Sequence, residues 1–150
     1  RPETVAGDIS AGEPAELVAF GPAEVAPGET FEIRLTLVDA AGKLLMSAGS
    51  PGGALIIHFT AKTLLGTLGG GLTPQAAIGL PNFGTLGGPV MLEAGRFPAA
   101  TVQALQGLGH SVSETPMPSG LQALQRGLKD GRPVWLGGAD PRREGIVAGE

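Results

Sequence analysis

The sequence predicts an α+β fold in which an antiparallel sheet packs against two or three helices. Apolar and polar residues alternate over 31–37, which is the two-residue period of a half-buried strand. Apolar residues over 54–68 instead recur at the spacing of a helix with one buried face. The 26 glycines and 13 prolines separate short apolar segments, and this pattern is typical of many tight turns between such elements.

The N-terminal residues 1–28 differ from the rest of the chain because they are acidic and rich in proline. Proline at this density prevents a long helix and favours extended backbone. We predict a short strand at 17–20. We therefore divide the chain into a segment of uncertain structure, 1–28, and a folded region, 29–150.

Residues 31–37 and 44–48 are predicted to form an antiparallel hairpin. In the first strand four apolar side chains share one face of the sheet: Phe31, Ile33, Leu35 and Leu37. The connection contains Asp39 and Gly42, which are turn residues, and Gly42 can adopt a positive φ. The second strand, Leu-Leu-Met-Ser-Ala, is predicted to be more buried than the first.

A glycine-rich turn at 49–53 precedes the helix predicted at 54–68, which ends at three consecutive glycines. Glycines at the start of a helix leave backbone N–H groups without partners. Together with the positive end of the helix dipole, such donors suit an anion or a developing oxyanion. Ser50 is interpreted as a serine that satisfies backbone donors, since neither histidine is placed as a base for it.

The middle of the chain alternates between short helices, loops and strands. Thr73 is a suitable N-cap and Pro74 a suitable first residue for one helix. Gly109 closes a later helix. The predicted elements are a helix at 74–79, a loop at 80–84, a strand at 90–93, a helix at 97–108 and a strand at 110–114.

Residues 121–128 fit two patterns and both stay open. Their leucines have helical spacing, whereas Leu121, Ala123 and Gln125 alternate as in a strand. A turn at 129–132 leads into a strand at 134–136.

The tail at 137–145 is predicted to contain no regular element because it is polar and rich in glycine. Asp140, Arg142 and Arg143 lie within this tail. We interpret them as a structural cluster, in which the aspartate caps a turn and an arginine pairs with a carboxylate, rather than as an anion-binding site.

Composition excludes several classes of function. The net charge is −4 and the chain has only 10 basic residues, which argues against a nucleic-acid partner. No apolar run is long enough to span a bilayer, and the first residues lack the pattern of a signal peptide. The chain has no cysteine, and His58 and His110 lie far apart, so we expect no metal and no cofactor.

Three stretches together resemble the C-terminal part of the small subunit of γ-glutamyltransferases (glutathione hydrolases). They are residues 42–53, which contain Ser-Pro-Gly-Gly, residues 75–83, which contain Leu-Pro-Asn-Phe, and residues 137–145, which contain Asp-Pro-Arg. Their order and spacing agree with the family over 42–150. The resemblance implies an N-terminal-nucleophile hydrolase, whose αββα sandwich forms by self-cleavage of a precursor.

In that family a threonine at the new N-terminus attacks the γ-glutamyl amide, and its own α-amino group serves as the base. The paired glycines after Ser-Pro donate N–H groups to the oxyanion. The resemblance places this role on Gly52 and Gly53, where glycines at the start of the predicted helix are also expected to leave anion-binding donors. The alternative is that these two glycines only form a tight turn between the strand and the helix.

The motif that holds the family's nucleophile has no counterpart in this sequence, and Arg1 cannot act as one. We therefore expect no catalytic residue in this chain and no activity from it alone. The partners implied are the remaining segments or large subunit of such an enzyme and, once assembled, a γ-glutamyl compound such as glutathione. The implied location is periplasmic or secreted. The alternatives are a non-catalytic structural or binding module, or an engineered sequence with family-like wording.

Overall fold

The computed structural model describes residues 14–22, 26 and 29–149, so most of the N-terminal segment 1–28 lies outside the described residues. The strands are β1 (Pro14–Phe20), β2 (Glu32–Asp39), β3 (Leu44–Pro51), β4 (Phe83–Gly84), β5 (Val90–Glu93), β6 (Val112–Thr115), β7 (Gln122–Lys129) and β8 (Arg132–Ala139). The helices are α1 (Ile56–Leu64), α2 (Pro74–Gly79) and α3 (Ala99–Gly107). A 3₁₀ turn (Gly53–Leu55) precedes α1, and a π-helical turn (Leu65–Gly69) follows it.

The main sheet has five antiparallel strands in the order β1-β2-β3-β7-β8. The predicted hairpin is confirmed, with Leu35 opposite Ala48 and Leu37 opposite Met46. β1 adds an edge strand that begins earlier than the short strand predicted at 17–20. A smaller sheet, β4-β5-β6, contains one antiparallel and one parallel pair.

The core lies between one face of the main sheet and the helices α1 and α2. Met46 from β3 and Ala123 from β7 supply the sheet side, while Phe59 of α1 and Ile78 of α2 supply the helix side. Alternation along the strands directs one set of side chains into this layer, because successive residues of a strand point to opposite faces. The predicted α+β class, with an antiparallel sheet and a few helices, is confirmed.

Residues 121–128 form a strand, which settles the ambiguity in their pattern. Met46 pairs with Gln125 and Ala48 with Ala123, so the neighbouring strand β3 decides between two local patterns that fit equally well. Gln125 is only 4% exposed although it is polar, because it lies on the inward face of the sheet.

Two predictions of irregular structure are wrong. β8 extends through Gly137 and Gly138 to Ala139, and a Cβ added to Gly138 would lie 2.6 Å from the backbone N of Gln75 in α2. Glycine is therefore used here because the helix approaches the strand closely. The predicted loop at 80–84 ends in the short strand β4, which pairs with β5.

The helix predicted over 54–68 is divided into the 3₁₀ turn, α1 and the π-helical turn. No helix in the described part of the chain is both long and apolar enough to cross a membrane.

Candidate functional site

The turn between β3 and α1 is built from Gly52 and Gly53. Their φ angles are 144° and 65°, values that residues with a side chain rarely adopt. A Cβ added to Gly52 would also lie 3.2 Å from the ring of Phe59, whereas nothing lies within 4 Å of one added to Gly53. Conformation alone therefore favours glycine at position 53, and both conformation and packing favour it at position 52.

This turn forms one wall of an open cleft of about 690 Å³. The loop at 116–118, which follows β6, also lines the cleft, and Phe59 contributes an apolar surface. The charged residues among the cleft-lining side chains are Glu29 and Arg143. The two glycines are thus partly accessible from a space large enough for a small molecule.

The amides of Gly52 and Gly53 form no hydrogen bond with any residue that the structure describes. Gly52 is the N-cap of the 3₁₀ turn, and Gly53 is the first residue of that turn, so neither N–H has a partner within a helix. Two adjacent unpaired donors beside a cleft can bind an oxygen that carries negative charge.

Ser50 is buried directly behind this turn, with 1% of its surface exposed. Its hydroxyl donates to the carbonyl O of Pro51 at 2.8 Å and accepts the N–H of Gly120 at 3.1 Å. The hydroxyl thus satisfies a backbone donor, in agreement with its interpretation from the sequence, although that donor belongs to the loop before β7 rather than to the helix.

A buried carboxylate, Asp140, holds the same loop in place. Ser119 Oγ donates to it at 2.5 Å and Leu121 N–H at 3.0 Å. The backbone N–H and guanidinium of Arg142 occupy its other oxygen, at 3.0 and 3.2 Å. Burial favours a raised pKa for Asp140, but these hydrogen bonds, led by that from Ser119, keep the pKa below its usual value.

Arg142 also forms a bidentate ion pair with Glu93. Its Nε and Nη2 donate to the two carboxylate oxygens, each at 2.6 Å. This hydrogen bond raises the pKa of Arg142. For Glu93, burial acts to raise the pKa, but the bonds from Arg142 and from the N–H of Asn82 lower it overall. The prediction that Asp140 caps a turn while an arginine pairs with a carboxylate is confirmed for Arg142.

Lys62 of α1 completes this group, which we call the polar cluster: Lys62, Asn82, Glu93, Ser119, Asp140 and Arg142. The Lys62 ammonium donates to the carbonyl oxygens of Ile78 and Leu80 at 3.0 and 2.8 Å and to Asn82 Oδ1 at 2.8 Å. Burial, together with the nearby charge of Arg142, lowers the pKa of Lys62 to about 8. Two cations and two anions therefore balance within the cluster.

The sequence reasoning missed Lys62, Asn82, Glu93 and Ser119. One signal was present for Lys62, since it is the only Lys, Arg, Asp or Glu in the helix predicted over 54–68. Such a residue on an apolar helix is expected to find buried partners or to face solvent. No signal in the sequence pairs it with Asn82, which lies 20 residues away in a loop.

The histidines do not join the cleft. His58 packs against Gly84, and its Nε2 accepts the N–H of Thr85 at 3.3 Å. His110 is exposed at the end of α3. Within the described residues, no group of three or more His, Asp or Glu side chains is arranged to hold a metal ion.

Comparison with known families gives a match that covers most of the chain. The sequence profile of the family described as gamma-glutamyltranspeptidase matches residues 33–150 of this chain. No curated protein gives a significant match.

Several solved structures share the fold. A mutant of the gamma-glutamyltranspeptidase from Helicobacter pylori is 25% identical, with a TM-score of 0.64 over 71% of this chain and 58% of that chain. Cephalosporin acylase from Bacillus halodurans is 28% identical, with a TM-score of 0.67 over 77% of this chain and 22% of that chain. The transpeptidase CapD from Bacillus anthracis is 22% identical, with a TM-score of 0.60 over 89% of this chain and 72% of that chain. At this identity the likeness concerns only the fold.

This chain thus spans 58% of the length of the Helicobacter pylori chain. The fold class expected from the resemblance, part of an N-terminal-nucleophile hydrolase, is confirmed by these structures. In the described residues the five-stranded sheet carries α1 and α2 on one of its faces.

Proposed function

Because this chain belongs to the gamma-glutamyltranspeptidase family, we propose that it provides the oxyanion-binding part of a site that cleaves γ-glutamyl amides or transfers the γ-glutamyl group. The observation that carries the proposal is the pair of amides at Gly52 and Gly53. They are adjacent, border the cleft, and have no partner among the described residues.

The chemistry requires such donors. When a nucleophile attacks the γ-carbonyl carbon, the carbonyl oxygen takes up the electron pair of the broken π bond and becomes an alkoxide. Two preorganised N–H groups stabilise that charge more than they stabilise the neutral carbonyl. The apolar ring of Phe59 at the cleft strengthens the effect, because a lower local dielectric strengthens each hydrogen bond to the oxyanion.

The attacking threonine belongs, in this proposal, to a segment other than residues 1–150, and so does the large subunit. The chain by itself is then inactive. The assembled enzyme takes a γ-glutamyl compound such as glutathione and acts outside the cytoplasm, in the periplasm or after secretion. Residues 29–150 are the part that joins the enzyme, and β1 extends its main sheet at one edge.

A chimera tests this proposal. It joins residues 33–150 to the large subunit and nucleophile-bearing segment of the Helicobacter pylori enzyme, and hydrolysis of γ-glutamyl-p-nitroanilide is measured. Replacing Gly53 with glycolic acid exchanges its N–H for an ester oxygen, and we expect kcat to fall by about 100- to 1,000-fold. The matched control is the same exchange at Gly87, which also has a positive φ and open space around it.

The chimera also separates the alternatives. A folded, assembled chimera that releases no p-nitroaniline favours a non-catalytic structural or binding module. An active chimera in which the exchanges at Gly52 and Gly53 have no more effect than that at Gly87 removes the oxyanion role from these amides. Activity in the 150-residue chain alone contradicts the assignment of the nucleophile to another segment.

A further inference from the structure

Ser50 is hydrogen-bonded to residues beside two cleft-lining segments, 52–55 and 116–118, yet it does not line the cleft itself. Its side chain is buried, and its hydroxyl bonds to two backbone groups, the carbonyl of Pro51 and the N–H of Gly120. A buried hydroxyl with two backbone partners in separate elements is able to set the geometry of either one.

The direction of both hydrogen bonds is fixed by the chemistry of the groups. An amide N–H can only donate, so the bond from Gly120 at 3.1 Å uses a lone pair of the Ser50 oxygen. A hydroxyl has a single hydrogen, and this hydrogen is directed to the Pro51 carbonyl at 2.8 Å. Ser50 therefore acts as acceptor toward Gly120 and as donor toward Pro51.

The Pro51 carbonyl belongs to the same planar peptide unit as the N–H of Gly52. No cis peptide bond occurs in the described residues, so the C=O and N–H of this unit point in opposite directions. A hydrogen bond that holds the carbonyl toward Ser50 also holds the Gly52 N–H away from it. The freedom of a glycine to adopt several backbone conformations makes such a restraint useful.

We propose that Ser50 is a positioning residue that aligns the Gly52 N–H for the oxyanion, an inference that rests on the function proposed above. Ser50 touches no substrate. It acts through the Pro51–Gly52 peptide, and the hydrogen bond from the Gly120 N–H holds the Ser50 hydroxyl in place. That loop is itself tied to Asp140 through Ser119 and Leu121.

The first test uses the whole 150-residue chain and needs no activity. Residual dipolar couplings measured by NMR report the direction of each N–H bond. In Ser50→Ala we expect the coupling of Gly52 to change as its peptide unit reorients, while Ser50→Thr, which keeps the hydroxyl, retains the wild-type coupling. Ser47→Ala is the matched control, because Ser47 lies in the same strand on the other face of the sheet.

An unchanged Gly52 coupling in Ser50→Ala overturns the proposal. If Ser50→Ala does not fold, the comparison is made between Ser50→Thr and Ser50→Val, which differ by a hydroxyl against a methyl group. Equal Gly52 couplings in that pair also overturn it.

The second test uses the chimera. Ser50→Ala is expected to lower kcat by about 10- to 100-fold, which is less than the effect of removing a whole donor, and to change KM by less than about 3-fold. Ser50→Thr is expected to keep most of the wild-type rate. A change confined to KM contradicts a role at the oxyanion. If the exchanges at Gly52 and Gly53 are both harmless while the Gly52 coupling still depends on Ser50, the proposed function fails but the link from Ser50 to Gly52 stands.

Discussion

Asp140→Asn is predicted to destabilise the fold strongly although it changes almost no volume. The carboxylate receives four hydrogen bonds, two at each oxygen. An amide offers only one oxygen, and its NH₂ group must then face two donors. With its oxygen toward Ser119 and Leu121, the asparagine loses both bonds from Arg142. In the other orientation it loses the bond from Leu121, and the bond with Ser119 must reverse, because the serine hydroxyl can only accept from an NH₂ group.

The magnitude follows from the kind of bonds that are lost. Hydrogen bonds to a charged group contribute about 1.5–3 kcal/mol each. The substitution also leaves the two cations of the polar cluster with one anion, and breaking a buried ion pair costs about 3–5 kcal/mol. These two costs overlap, so we expect the free energy of unfolding to fall by about 3–5 kcal/mol.

Urea unfolding followed by circular dichroism measures this change, and the matched control is Asp130→Asn in the exposed turn between β7 and β8. The pKa of Asp140 is lower in the folded state than in the unfolded chain. Its contribution is therefore present above the unfolded pKa of about 3.9 and is lost as the pH falls through the folded value. The reasoning is refuted if Asp140→Asn lowers the free energy of unfolding by less than about 1 kcal/mol. It is also refuted if the difference in this free energy between the variant and wild type does not become smaller toward acid pH.

Three further predictions concern other contacts. Gly138→Ala places a Cβ 2.6 Å from a backbone nitrogen of α2, and we expect a loss of about 1–3 kcal/mol in urea unfolding, against almost none for Gly88→Ala, where nothing lies within 4 Å. Lys62 is expected to titrate near pH 8 in ¹³C NMR. Because the folded state releases this proton at a lower pH than the unfolded chain, the free energy of unfolding of wild type should rise relative to that of Lys62→Met from about pH 8 to 10.5. A difference between the two proteins that stays constant over this range contradicts the prediction. Thr73→Ala removes the N-cap of α2 and should cost about 1 kcal/mol, whereas Thr73→Ser should cost little.

The sequence was sufficient for the elements whose pattern is local. Alternation identified β2, and the cap and proline at 73–74 identified the start of α2. β7 was left undecided because Leu121, Ala123 and Gln125 alternate while the leucines keep helical spacing, and only pairing with β3 distinguishes these patterns. The end of β8 was missed because the close approach of α2, which requires glycine there, is a property of the tertiary structure.

The residues of the candidate site likewise fall into those that the sequence could predict and those that it could not. Gly52 and Gly53 could be selected from the sequence, because a turn between a strand and a helix leaves N–H groups unpaired. The partners of Lys62 and Glu93 could not, since their contacts join residues 20 and 49 positions apart, respectively. Hydrogen bonds over such separations follow from packing and leave no periodic signal in the sequence.

The polar cluster and the cleft share one loop, and this has a consequence for how their variants should behave. Asp140 fixes Ser119 and Leu121, and the N–H of Gly120 between them is the fixed point for Ser50. Loosening the loop by Asp140→Asn should therefore disturb the Gly52 N–H as well as stability. Ser50→Ala leaves the polar cluster intact and should disturb the Gly52 N–H with a smaller loss of stability. The two variants together distinguish a cleft that is aligned by a specific chain of hydrogen bonds from one that depends only on overall stability.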